Sequence, residues 1–123
     1  MAKTALELTP EERAKYQPGR RYDQAQATER LEKAWLVAHA AARLLREQFG
    51  ATRVVAFGSV AHGLWFTPWS DIDLGAWGIP PESFFRAVAA VTDLAQGFEL
   101  NLVDPERCQP HLRQAIERGG VDV

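Results

Sequence analysis

Apolar residues recur at spacings of three and four from Leu31 through Ala34, Trp35, Ala38, Ala42 and Leu45 to Phe49. That period predicts one long amphipathic helix over Gln24–Phe49, stopped by Gly50. Val37, Ala41 and Leu44 widen its apolar sector, chiefly for core packing, with width to spare for a partner helix. His39 falls on the polar side and reads as a surface residue. The pattern then changes period. Arg53-Val54-Val55-Ala56-Phe57 is nearly continuously apolar and rich in β-branched residues, as in a strand covered on both faces. Residues 70–76 predict a second strand, and residues 98–103 a third. In the third, Glu99, Asn101 and Val103 share one face and Phe98, Leu100 and Leu102 the other.

Helices fill the remaining intervals. Val60-Ala61-His62-Gly63 begins a short one after the first strand. Pro80 or Pro81 opens another that runs to about residue 96, with Phe84, Phe85, Val88, Val91 and Leu94 inward and Gly97 as its stop. A last helix over residues 110–118 turns Leu112, Ala115 and Ile116 inward and ends at Gly119-Gly120. Near the start, Thr9-Pro10-Glu11-Glu12 caps a short helix that Pro18-Gly19 ends. Alternating helices and strands give an α/β fold class, with a small sheet of three or more strands backed by helices. Residues 1–23 form an N-terminal extension and residues 24–123 one domain.

Composition narrows the function classes. A chain of 123 residues with 46% apolar and 24% charged positions suits one globular domain. A formal net charge of −2 supplies no bulk basic field, so direct nucleic-acid binding is not expected; Arg20-Arg21 reads first as solvated surface, and otherwise as a contact to a partner or a phosphate tail. The single cysteine, Cys108, excludes an intrachain disulfide and a cysteine zinc site. No apolar run reaches membrane-spanning length and no signal-peptide core opens the chain, so a cytoplasmic location is expected.

The candidate chemistry lies in two stretches. Phe57-Gly58-Ser59-Val60-Ala61-His62-Gly63 is a turn of small residues at the end of a strand, with backbone N–H groups and a hydroxyl to offer a phosphate. Trp69-Ser70-Asp71-Ile72-Asp73-Leu74 sets two carboxylates two residues apart on a strand, hence on one face. Such a pair repels itself unless a divalent cation sits between, and hard oxygen ligands suit Mg²⁺. Phosphate cradle plus carboxylate pair points to nucleotide chemistry. The intervening Leu64-Trp65-Phe66-Thr67-Pro68-Trp69 loop reads equally as a cap on the core, a base-stacking platform or a docking surface.

Gly58-Ser59, then Gly63, then Ser70-Asp71-Ile72-Asp73-Leu74 resembles the signature of the minimal nucleotidyltransferases, within the DNA polymerase beta-like superfamily. The resemblance covers the chain from about Leu31 onward and implies that superfamily's fold, with a small mixed sheet backed by helices. It implies Mg²⁺-dependent transfer of a nucleoside monophosphate from a nucleoside triphosphate such as ATP. Gly58, Ser59, His62 and Ser70 would bind the nucleotide, and Asp71 and Asp73 the metal. The family's third carboxylate lies on a later strand, where this chain has Asn101, which carries no charge and takes no proton. Glu99, about 7 Å away along the strand, is the alternative, with Asp104 ranked lower. Relatives often carry Arg after the Gly-Ser, where Val60 and His62 stand, and the Gly63–Ser70 spacing is one residue longer than the common form.

Small stand-alone members of this family pair with a HEPN-domain ribonuclease as a toxin–antitoxin module. The resemblance therefore implies an antitoxin, forming a hetero-oligomer with a HEPN toxin and moving AMP to a tyrosine hydroxyl of it. The candidate interface is Trp35, Trp65, Phe66 and Trp69 with Arg20-Arg21. Neutralisation by binding alone on a degenerate frame is the alternative, and transfer to a small molecule or an RNA end ranks last.

Overall fold

The computed structural model describes residues 24–62 and 70–123. The capped helix expected at Thr9, the Arg20-Arg21 pair and the aromatic loop with Trp65, Phe66 and Trp69 lie outside the described residues.

Helix α1 spans Gln24–Phe49, as its period predicts. Ala34, Ala38, Ala41, Ala42 and Leu45 form its buried line, each at most 1% exposed. Four of these five are alanine, so the helix backbone can lie close to the sheet. Gly50 leaves it at φ +77°, a left-handed conformation that costs glycine little.

Strand β1, Arg53–Phe57, is interior to a four-stranded mixed sheet. It runs antiparallel to β2, Ile72–Trp77, which runs parallel to β3, Leu100–Val103. A fourth strand, β4 (Val121–Asp122), lies antiparallel to β1 on the outer side, giving the order β3-β2-β1-β4. Between them lie the single turn α2 (Ser59–His62), α3 (Pro81–Leu94) and α4 (Pro110–Gly119).

The register sorts the strand residues onto two faces. Val54 pairs with Ala76, Ala56 with Leu74, Leu74 with Leu102, and Ile72 with Leu100. These share one face and join the α1 and α3 residues in a single apolar cluster. Leu45, Ile72 and Leu74 are wholly buried there, and each contributes about 1.5–3 kcal/mol by leaving water. The opposite face carries Val55 beside Gly75 and Val103, and Phe57 beside Asp73 and Asn101. Its cover is thinner. Pro105 and Ile116 pack over Gly75, where an added Cβ would lie 3.1 Å from the Pro105 ring and 3.5 Å from Ile116.

Four details differ from the sequence reading. Phe85 is 89% exposed rather than inward. Ala87 and Val91 set the buried line of α3, and neighbouring positions on a helix point about 100° apart, so Phe84 and Phe85 cannot both follow it. Ala115 of α4 is exposed for the same reason, since Ile116 takes the inward direction. Phe98 lies before β3 rather than in it, with the Arg30 guanidinium stacked 4.2 Å from its ring centre. Lastly, α4 ends at Gly119-Gly120 as expected, but the chain then continues into β4, which the sequence reading does not identify. Val123 N–H bonds the Val54 carbonyl at 3.0 Å, Arg53 pairs with Asp122 at 2.9 Å, and Arg46 donates to the Val123 carbonyl.

Candidate active site

Strand β1 ends at Phe57, whose cross-strand partner is Asp73. The chain then turns sharply at Gly58, with the Ala61 N–H returning to the Gly58 carbonyl at 3.1 Å. Two independent facts require glycine here. Its φ is +73°, and a Cβ at this position would stand 2.5 Å from Asp73 Oδ2. The Gly-Ser turn and the Asp73 carboxylate are therefore in direct apposition, with no side chain packed between them.

Ser59 is half-buried and opens α2; Val60, 1% exposed, anchors that turn in the core. The position where relatives often place arginine thus serves as packing in this chain. His62 closes the turn, and its side chain and Gly63 lie outside the described residues. Ser70 is half-buried just ahead of Asp71.

Asp71 lies immediately before β2 and Asp73 within it. The Ile72 N–H between them bonds the Glu99 carbonyl at 2.9 Å, which fixes the start of β2 against the approach to β3. Asn101 is directly across from Asp73. Its Nδ2 donates to Asp71 Oδ2 at 3.2 Å and to Asp73 Oδ1 at 3.1 Å. One amide nitrogen thus gathers both carboxylates on one face, as the two-residue spacing predicts. Glu99 contributes its backbone to this junction, and its exposed side chain makes no hydrogen bond or ion pair to either aspartate. Asp104 is occupied elsewhere, with Arg107 and the Glu106 N–H. Of the expected site residues, Gly58 is brought against Asp73, and Asp71 and Asp73 against Asn101, while the Glu99 side chain is not joined to them.

The electrostatics follow from this packing. Burial pushes the Asp73 carboxyl above its ordinary value of 3.8, the Asn101 hydrogen bond opposes that rise, and the nearby Asp71 charge adds to it. Among the described residues no group of three or more His, Cys, Asp or Glu side chains could hold a metal. The donor set nonetheless fits Mg²⁺, which is commonly held by one or two carboxylates and completes its octahedron with water and substrate phosphates. Asp71 and Asp73 converge on one point and supply those oxygens; the Gly58 turn leaves space beside them that a Cβ would fill. What the sequence reading missed is the sense of the Asn101 contact, which is donation. The parallel pairing of β2 with β3 is the signal that locates it.

The fold that carries this turn and strand is that of a nucleotidyltransferase domain. The family description "nucleotidyltransferase domain" matches residues 40–117, and the chain belongs to that family. No curated protein matches it. Among solved structures, a protein described as a minimal nucleotidyltransferase is 28% identical, with a TM-score of 0.61 over 76% of this chain and 95% of that one. A toxin–antitoxin structure with AMP-PNP is 20% identical, with a TM-score of 0.58 over 69% of this chain and 70% of that one. The MntA–HepT toxin–antitoxin structure is 18% identical, with a TM-score of 0.54 over 72% and 69%. These neighbours share the fold. No helix among the described residues is long and apolar enough to cross a membrane.

Proposed function

We propose that this chain is the antitoxin of a toxin–antitoxin pair, and that it transfers AMP from ATP to a tyrosine hydroxyl of a HEPN-family ribonuclease. The observation that carries the reading is the convergence of Asp71 and Asp73 on one point, against the Gly58 turn. The toxin–antitoxin neighbours, one of them with a nucleotide analogue, favour a toxin as the partner.

In this reading the Gly58-Ser59 turn holds the β and γ phosphates through backbone N–H groups and the Ser59 hydroxyl, with Ser70 and His62 at its flanks. Asp71 and Asp73 hold Mg²⁺, which when bound neutralises charge on the α-phosphate and the departing pyrophosphate. The tyrosine oxygen forms a bond to the α-phosphorus as the bond to the pyrophosphate oxygen breaks. The phenolic proton leaves to water, because Asn101 cannot accept it. A phenol, with a pKa of about 10, gives up that proton far more readily than an alcohol. The asparagine is therefore better matched to a tyrosine acceptor than to a sugar or serine hydroxyl. The chain and the toxin form a hetero-oligomer in the cytoplasm, with Trp35 among the contact candidates.

The test is to incubate the chain with a HEPN-family ribonuclease that it binds, ATP and Mg²⁺, and weigh that protein by mass spectrometry. AMP on a tyrosine, absent with Asp71→Asn or Asp73→Asn, is the expected result. A toxin that is bound and silenced but unmodified rejects transfer. Asn101 in the third-carboxylate position favours one second reading, neutralisation by binding alone, in which the same two variants still silence the toxin.

A further inference from the structure

The orientation of Asn101 carries one more step. Ionised carboxylates only accept hydrogen bonds, so the NH₂ end of the amide faces them, one hydrogen to each. An amide that ligates a cation does so through its oxygen, whereas here it is the nitrogen that meets both carboxylates. Asn101 is also exposed, so its side chain has room to turn. Asp73 is confined between Gly58 on one side and Asn101 on the other.

We propose that Asn101 is a positioning residue that stands in for the cation: its amide holds Asp71 and Asp73 together when no metal is bound, and competes with a divalent cation for them. This rests on the Mg²⁺ reading above and deepens it. A cation entering between the carboxylates displaces both N–H donors, and the Asn101 side chain turns over or swings into solvent. Aspartate at this position would act in the opposite sense. It would add a third negative charge to the metal-free pair and a third ligand to the loaded one. The amide thus lowers metal affinity and steadies the metal-free site, so that the cation is held chiefly when a triphosphate brings further oxygens.

The experiment uses the full chain with Mg²⁺ or Mn²⁺ alone, without nucleotide, followed by titration calorimetry and by thermal unfolding in EDTA. Asn101→Ala removes the competitor and is expected to bind the ion about tenfold more tightly, a change of about 1.4 kcal/mol, while melting lower in EDTA. Asn101→Asp is expected to exceed it in both directions. Unchanged or weaker binding by Asn101→Ala, with wild-type binding intact, overturns the inference alone, and weaker binding makes Asn101 a ligand. Absence of binding by all three proteins overturns the Mg²⁺ reading with it. A measurement on the wild type needs no variant to fold. Asn101 is the only asparagine in the chain, so asparagine-selective ¹⁵N labelling isolates its NH₂ group. Those resonances are expected to shift on Mg²⁺ addition, and unmoved resonances in metal-bound protein overturn the inference.

Discussion

The two faces of one sheet behave as different materials. Toward α1 and α3, Val54, Ala56, Ile72 and Leu74 are apolar and wholly buried. On the other side, α4 covers only the middle, through Ile116 over Gly75, and the strand ends are left half in solvent with Asp73 and Asn101. Asp73 sits in sequence between Ile72 and Leu74, both 0% exposed. A single residue step separates the two environments because successive strand side chains point to opposite faces. The stiff apolar backing fixes the backbone, and the backbone in turn fixes where each carboxylate stands. Chemistry on one side therefore costs little packing on the other.

The sharpest way to break this contrast is to substitute neighbouring residues. Leu74→Ala empties the covered face and is expected to cost about 2–5 kcal/mol of stability, read by urea denaturation. Asp73→Asn, one position away, should lower the proposed Mg²⁺-dependent nucleotide transfer at least about a hundredfold, beyond the 10–100-fold typical of residues merely supporting a metal ligand, while leaving the urea midpoint the same or higher. If Asp73→Asn unfolds the protein as Leu74→Ala does, the separation of faces is wrong.

A smaller effect sharpens the contrast through pH. The Asp73 carboxyl is raised above 3.8 in the folded protein, so the native state binds its proton more readily than the unfolded chain does. Stability then falls as pH rises through the folded value. Asp73→Asn removes that loss. Its advantage in EDTA is expected to be present at pH 7 and to disappear as the solution is acidified toward 3.8, followed by melting curves across pH. The smallest effect belongs to neither face. Phe85→Ser, at a position 89% exposed, should change stability by no more than about 0.5 kcal/mol, and a larger loss would mean that the ring packs in the isolated chain.

Much of this arrangement is legible in the sequence, for reasons that differ by element. The long helix is written in a repeat that nothing else explains, and β1 in a run of β-branched residues between Gly50 and Gly58. The apposition of turn and carboxylates follows from Gly-Ser at a strand end with Asp-x-Asp on the next strand. The strand β4 was not legible, because two residues hold no period and their pairing depends on Arg46 and Arg53, far away in the chain. Phe85 and Ala115 are exposed despite their apolar side chains, because hydrophobicity alone does not choose between adjacent helix positions; neighbouring buried residues do. The role of Asn101 was half legible. Its position follows from alternation along β3, but the direction of its hydrogen bonds depends on both aspartates reaching the same nitrogen.

Gly58 and Asp73 also constrain each other's history. A side chain at position 58 collides with the carboxylate at 73 and meets an unfavourable torsion as well. A lineage that first lost Asp73 would be freed from the collision but not from the torsion, which leaves asparagine as the most accessible replacement for the glycine. The order of substitutions is thus biased. Loss of the acid relieves the collision before any change at the turn, whereas a change at Gly58 made first meets both the collision and the torsion.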